Sequence, residues 1–325
     1  MFANPELRAL RRDDSPQCDA QVALLQAMDD WRARPDVAIL LAELEEFSAG
    51  AELEQCPGLA ALFTPGSDAA RELTTGFSAM TCAALAEWPL GHVTLRHFTD
   101  GVTSTILLAR AVNVTLSLVA IDGEGLGLRP ESATASFGPN HTWEHVLGGS
   151  AAVELIECLP TGPRQAKLSR REIEIGPGSI QFRDGQRDAR LLRRIDGALV
   201  TLRLQRRRPN ADATREYDLT SGALLHQAAG NPRDSRLELM LALLGRMDRK
   251  DAAPHMAGLA CGEASAALRW QALRECLALD TQLGFTALAT IATRTEDALS
   301  GPAGALRAQL IEAHPQLQEL EPCPM

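Results

Sequence analysis

Two of the chain's seven histidines, His141 and His145, stand four residues apart with Glu144 beside the second, in the stretch FGPNHTWEHVLGGS from Phe137 to Ser150. Neutral imidazoles and a carboxylate are the donors that hold Fe, Mn, Ni or Zn while leaving coordination positions open for a substrate. On a helix, residues four apart face the same way, so a helical reading puts His141 and His145 one turn apart. His141, Glu144 and His145 are therefore the candidate metal ligands for a divalent cation. His92 or His97 is a further donor from upstream; five residues apart on a strand, they point to opposite faces and only one can join a shared site. The competing reading is structural: a turn in which Trp143, Val146 and Leu147 pack inward while the histidines and the glutamate bond locally or face solvent.

The elements that must position these residues are bounded by the bulk composition. At 325 residues the chain is long enough for two domains, and 45% hydrophobic residues supply a core for each. Thirty-two basic against 42 acidic residues leave a net charge of -10, which argues against nucleic acid and against anionic membranes as partners. The start, MFANPELRALRRDD, becomes charged too soon for a secretory signal, and no run of about 18 apolar residues occurs, so a soluble cytoplasmic protein is expected. The seven cysteines are scattered and never spaced C-x-x-C, which suggests neither a disulfide framework nor a zinc ribbon; Cys323 falls in a tail.

Three segments follow. Residues 1–88 are helical, with Val22, Leu24, Leu25 and Met28 on one apolar face and Val37, Leu40, Leu41, Leu44 and Phe47 on another; further helices are expected over 51–62 and 67–87. At Trp88-Pro89-Leu90-Gly91 the pattern turns to alternation, and residues 89–228 read as many short strands: 92–98, 102–108, 112–120, 151–158, 172–175, 179–182, 189–195 and 198–205. Asp100-Gly101 is a hairpin signal, and the spacing predicts a sandwich or a barrel closed on itself. Residues 229–325 return to helices. Arg236, Arg269 and Arg307 each open a segment rich in leucine and are 33 and 38 residues apart, the period of paired-helix repeats. The fold class expected is α+β: N-terminal helices, a central β-barrel and C-terminal α-helical repeats.

Within the middle segment, Ile175-Gly-Pro-Gly-Ser179 resembles the proline-glycine turn of the second cupin motif, and strands ending in Val200-Thr-Leu-Arg-Leu204 follow it. Arg215-Glu-Tyr-Asp-Leu-Thr-Ser-Gly222 is similar to the closing segment of cupins of the thiol-dioxygenase type. The tail, Leu268 to Ala292 above all, resembles HEAT-like helical repeats. Together these resemblances cover about two thirds of the chain. A catalytic cupin carries a His-x-His pair, a glutamate a few residues on and a further histidine after the proline-glycine turn. This sequence departs from that pattern: it has no His-x-His, and no histidine stands between Gly178 and His226. His-Thr-Trp-Glu-His also spells the H-x-x-E-H string of inverted zinc proteases, but Gly148-Gly149 would end a helix at once and no downstream ligand presents itself beyond Glu216.

Nine arginines lie between Arg183 and Arg208. With Phe182 as their one aromatic neighbour, they read as partners of Asp184, Asp188, Asp196 and the acidic helices rather than as a nucleic-acid stripe. No Walker loop, dinucleotide fingerprint or G-x-S-x-G elbow is present, and neither Cys158 nor Cys276 has a base beside it. The function expected is a non-catalytic module that binds a small molecule in the barrel without a cofactor, or a regulatory protein whose helical repeats take a protein partner, with self-association into a homodimer through the tail. The alternative is a metal-dependent cupin enzyme of oxygenase or isomerase type with His141, Glu144 and His145 as ligands.

Overall fold

The computed structural model describes residues 13–162, 164–208, 213–230 and 232–320. Residues 1–12 of the N-terminal stretch read for a secretory signal, and the tail holding Cys323, lie outside the described residues. The chain divides into two compact units, residues 1–210 with 215–226 and residues 211–214 with 227–325.

The first unit opens with helices α1 (Ser15–Arg32), α2 (Pro35–Ala49), α3 (Pro57–Leu62) and α4 (Ala69–Glu87). Proline near the start of α1, α2 and α3 accounts for three of these onsets, because its missing N–H is not needed there. The single helix expected over 51–62 is interrupted. A 3-10 turn, Leu53–Gln55, comes first, and Pro57 restarts the chain as α3. The buried carboxylate of Glu43 accepts the N–H groups of Gly58 at 3.1 Å and Leu59 at 2.8 Å, occupying the free donors of that new helix. On α1, Leu24 and Met28 are buried as expected, whereas Val22 and Leu25 are exposed.

The sheets follow. Strands β1 (His97–Thr99), β2 (Thr103–Arg110) and β3 (Val114–Asp122) form a meander. A short helix α5 (Gly123–Gly127) then leads to β4 (Thr134–Phe137), β5 (Asn140–Gly162), β6 (Gln165–Ile175), β7 (Ile180–Asp184), β8 (Asp188–Arg207), β9 (Thr214–Asp218) and β10 (Leu224–Ala228). Seven of them make one antiparallel sheet in the order β1-β2-β3-β8-β5-β6, with β7 also on β5; the other three make a second sheet, β10-β9-β4. Instead of a ring, the larger sheet is an open path among the described residues, with β1 and β6 at its ends.

Two strands are far longer than expected. The sequence reading breaks the chain at Gly148-Gly149 and again at Asp196-Gly197, yet β5 and β8 run through both. The glycines bend the strands instead of ending them: Gly149 and Gly197 take φ of +77° and +74°, and the β5/β8 register shifts around Gly148. The first part of β5 pairs with β7 and with the end of β8, and its second part with β6 and with the start of β8. One strand therefore contributes to two differently facing stretches of sheet. The outer face of the first stretch shares an apolar core with the N-terminal helices: Trp31, Phe47, Leu59 and Phe77 meet Leu108, Val114, Leu116, Leu202 and Leu204.

The second unit holds α6 (Pro232–Arg246), α7 (Ala253–Cys261), α8 (Ala266–Leu279), α9 (Thr281–Ala292) and α10 (Ser300–Ala313), with 3-10 turns at Lys250–Ala252 and Pro315–Leu320. Met256, Leu268, Leu273, Cys276, Phe285 and Leu288 form its core. Ser265 and Asp280 cap α8 and α9 through Leu268 and Leu283. The arginine period does not mark equivalent environments: Arg236 is exposed, whereas Arg269 is buried and forks onto Asp297.

Candidate functional site

The stretch with the candidate ligands is strand, not helix, and the two-residue alternation of β5 decides where each side chain goes. His141, Trp143 and His145 share the face turned to the helices. There Trp143 lies edge-on to Phe47, with ring centroids 5.6 Å apart, and the Nδ1–H of buried His145 donates to the Leu62 carbonyl at 2.8 Å. Thr142, Glu144 and Val146 take the opposite, inward face and are all buried.

The structure therefore keeps the two histidines on one side of the strand and parts Glu144 from them. His141 Nε2 accepts a hydrogen bond from Arg208 Nε at 2.9 Å. Burial, chiefly, and then Arg208 hold the His141 pKa below the ordinary histidine value, so the ring is neutral with that lone pair engaged. His92 and His97 are exposed, and the His97 ring bonds its own neighbourhood at the Leu95 carbonyl. Among the described residues no group of three or more His, Cys, Asp and Glu side chains comes together as a metal site. The donors do not fit a divalent cation. Glu144 is already committed to guanidiniums, and their positive charges would oppose a metal beside it.

Glu144 sits in a buried cluster of charges. Arg203 stands directly opposite it on β8, and its Nε and Nη2 each lie 2.7 Å from Glu144 Oε1. Arg183, on β7, is two residues beyond Glu144's cross-strand partner Gln181, within diagonal reach, and its Nη1 is 2.8 Å from Oε2. Arg190, from the start of β8, grips both carboxylate oxygens, with Nη1 2.7 Å from Oε2 and Nη2 3.1 Å from Oε1. The side-chain exposures are 1% for Glu144, 6% for Arg190, 15% for Arg183 and 29% for Arg203. Burial alone would drive the Glu144 pKa up; the fields of Arg190, Arg203 and Arg183 overcome it and hold the carboxyl at about 2. Burial pulls Arg190 down to about 10, still protonated at neutral pH. A second pairing lies beside the first: Glu154 takes Arg170 and Arg193.

These arginines border a cavity of about 620 Å³. Thr142, Arg183, Arg190 and Arg203 line it, together with Arg129, Arg193, Asp188, Glu131 and the neutral polar side chains of Ser136, Asn140 and Gln205. The lining also includes Ile121, Leu126, Leu191 and Leu192. Cys158 and Cys276 are not poised as nucleophiles: burial raises the Cys158 pKa and pushes that of Cys276 to about 11.

The sequence reading assigned the arginines of 183–208 as a block to internal pairing with aspartates and helices. Some do this: Arg208 meets Asp184, Arg194 meets Asp196, and Arg206 stacks over Phe47 while donating to the Ala51 carbonyl at 2.7 Å. Arg183, Arg190 and Arg203 instead converge on Glu144, and the reading missed them as a site. The available signal was alternation, since Thr201, Arg203 and Gln205 share a strand face, but it needed a register joining residues 59 apart.

No family model matches the chain, and no curated protein matches it. Several solved structures are similar to about a third of the chain. A cupin superfamily protein from Desulfitobacterium hafniense is 13% identical, covers 34% of this chain and 83% of its own, and gives a TM-score of 0.24. A sugar phosphate isomerase of the cupin superfamily from Silicibacter pomeroyi is 14% identical over 38% and 76%, with a TM-score of 0.24. Ectoine synthase from P. lautus is 11% identical over 34% and 68%, with a TM-score of 0.23. At such identities and TM-scores the likeness assigns this chain no activity.

Proposed function

We propose that the chain is a non-catalytic, cupin-like binding module that takes a small polar molecule into the cavity beside Glu144. The observation that carries the reading is the commitment of Glu144 and His141 to the protein itself. Glu144 is neutralised by three arginines and the His141 Nε2 lone pair accepts from Arg208, while a cavity of about 620 Å³ adjoins the first of these. That volume falls in the range of small-molecule sites, about 300–1,000 Å³, and its wall mixes apolar side chains with a few convergent polar groups.

Native mass spectrometry and elemental analysis of the gently purified full chain test this. A bound mass that Ser136→Trp, at the cavity wall, expels carries the reading. Stoichiometric Fe, Mn, Ni or Zn that disappears in a His141→Ala/His145→Ala double variant overturns it in favour of the metal-dependent enzyme. For the helical unit the proposal is an interaction surface of HEAT-like character, for a protein partner or a second copy. It is supported by Leu239 and Leu243, 72% and 58% exposed one turn apart on α6. Sedimentation of the full chain against Leu239→Glu/Leu243→Glu reads self-association directly.

A further inference from the structure

The Glu144 cluster is unbalanced. Three guanidiniums share one carboxylate, an excess of two positive charges within a group whose members run from nearly inaccessible to less than one third exposed. Asp188 lines the same cavity but spends Oδ2 on the Asp184 backbone N–H, and counting it still leaves one charge over. Glu131 also lines the cavity, with a side chain 90% exposed, where water screens it. Glu154 is already taken by Arg170 and Arg193. Buried arginine charge without a matching anion is costly, and guanidinium is the group best shaped to receive a planar or tetrahedral oxyanion.

The donors for such a contact are present. Arg183 approaches Glu144 with Nη1 at 2.8 Å, and its Nε and Nη2 make no hydrogen bond with a described residue. Arg203 uses Nε and Nη2 and leaves Nη1. Both side chains line the cavity, where the Thr142 hydroxyl and the Gln205 amide add neutral polar groups.

We infer that the cavity binds a small molecule through a carboxylate or phosphate group seated between Arg183 and Arg203, with Glu144 holding the two guanidiniums apart and aimed. This rests on the reading of the cavity as a small-molecule site and names the class of its ligand. Glu144 is a positioning residue here, and Arg190, the most buried of the three arginines, fixes Glu144 in turn.

Calorimetric titration of the full chain at constant ionic strength with inorganic phosphate, with malonate and with uncharged malonamide tests the inference. Saturable binding of at least one anion is expected, roughly tenfold or more tighter than malonamide, and the two anions separate the phosphate class from the carboxylate class. Arg183→Gln and Arg203→Gln should each weaken it by about tenfold, whereas Arg187→Gln, 67% exposed against Glu157, should leave it unchanged. Glu144→Gln supplies the opposite sign: with the counter-charge gone, the anion should bind more tightly and, from this variant's own lower starting point, raise the melting temperature more than in the parent. Malonamide binding as well as malonate overturns the charge inference while the cavity reading stands. Binding that Ser136→Trp leaves untouched overturns both. No saturable anion binding, or no gain in Glu144→Gln, overturns the inference.

Discussion

Glu144→Gln is the most informative single change, because it removes one charge and almost no volume from the centre of the arginine cluster. The Glu144 side chain is 1% exposed and Arg190 6%, so the guanidinium left behind is not rescued by water, while Arg203 at 29% can relax outward. Removing one partner of a buried ion pair costs about 3–5 kcal/mol. The carboxyl pKa gives the same order: its fall from 4.5 to about 2 corresponds to ~3 kcal/mol at neutral pH. Since the folded-state value is depressed, this contribution is fully present above about pH 4.5 and is lost as pH falls through the folded value near 2. Urea unfolding monitored by circular dichroism should show the first unit's transition weakened by about 3–5 kcal/mol at pH 7, with the gap between parent and variant closing below pH 4.5. Glu157→Gln, which breaks the exposed pair with Arg187, is the control and should cost less than ~0.5 kcal/mol. A loss under ~1 kcal/mol for Glu144→Gln, or a gap that does not change with acid, would refute the reasoning.

Three further substitutions test other parts of the account. Gly149→Ala forces a side chain at φ +77° and puts its Cβ 1.9 Å from the Ala198 carbonyl oxygen, so unfolding measurements should show a loss above ~2 kcal/mol. Its neighbour Gly148→Ala, with nothing within 4 Å, should stay within ~1 kcal/mol. Arg269→Ala removes the fork to Asp297 and the donation to the Ala260 carbonyl at 2.9 Å; the second unit's transition alone should weaken, by ~3 kcal/mol. His145→Phe leaves the Leu62 carbonyl without its donor and should cost ~1–3 kcal/mol in the first unit, read by the same unfolding assay.

The order of helices, strands and helices was legible because it rests on local period. Leu24 and Met28 recur at helical spacing on α1, and Val114 to Ala120 alternate as β3 does. The Gly148-Gly149 and Asp196-Gly197 pairs misled for a physical reason: a glycine that stops one strand can bend another, and the two outcomes differ only in whether pairing resumes beyond it. The same uncertainty spread to the site. Read as a helix, His141, Glu144 and His145 make one cluster; as strand, they part to two faces. The arginine partners of Glu144 lie 39, 46 and 59 residues downstream, and no local pattern announces a pairing set by register and by a fold-back of β8. Charge composition was no guide either, since a chain of net charge -10 conceals a locally positive interior.

What occupies the inner face of β5 separates an anion site from a metal site. Crystals of the full chain grown with selenate, with diffraction measured at the selenium edge and at the edges of the first-row metals, test it most directly. The account predicts a selenium peak between Arg183 and Arg203 and no metal peak beside His141 or His145. A first-row metal peak bridging those histidines, with the cavity at Arg183 and Arg203 free of selenate, would contradict it.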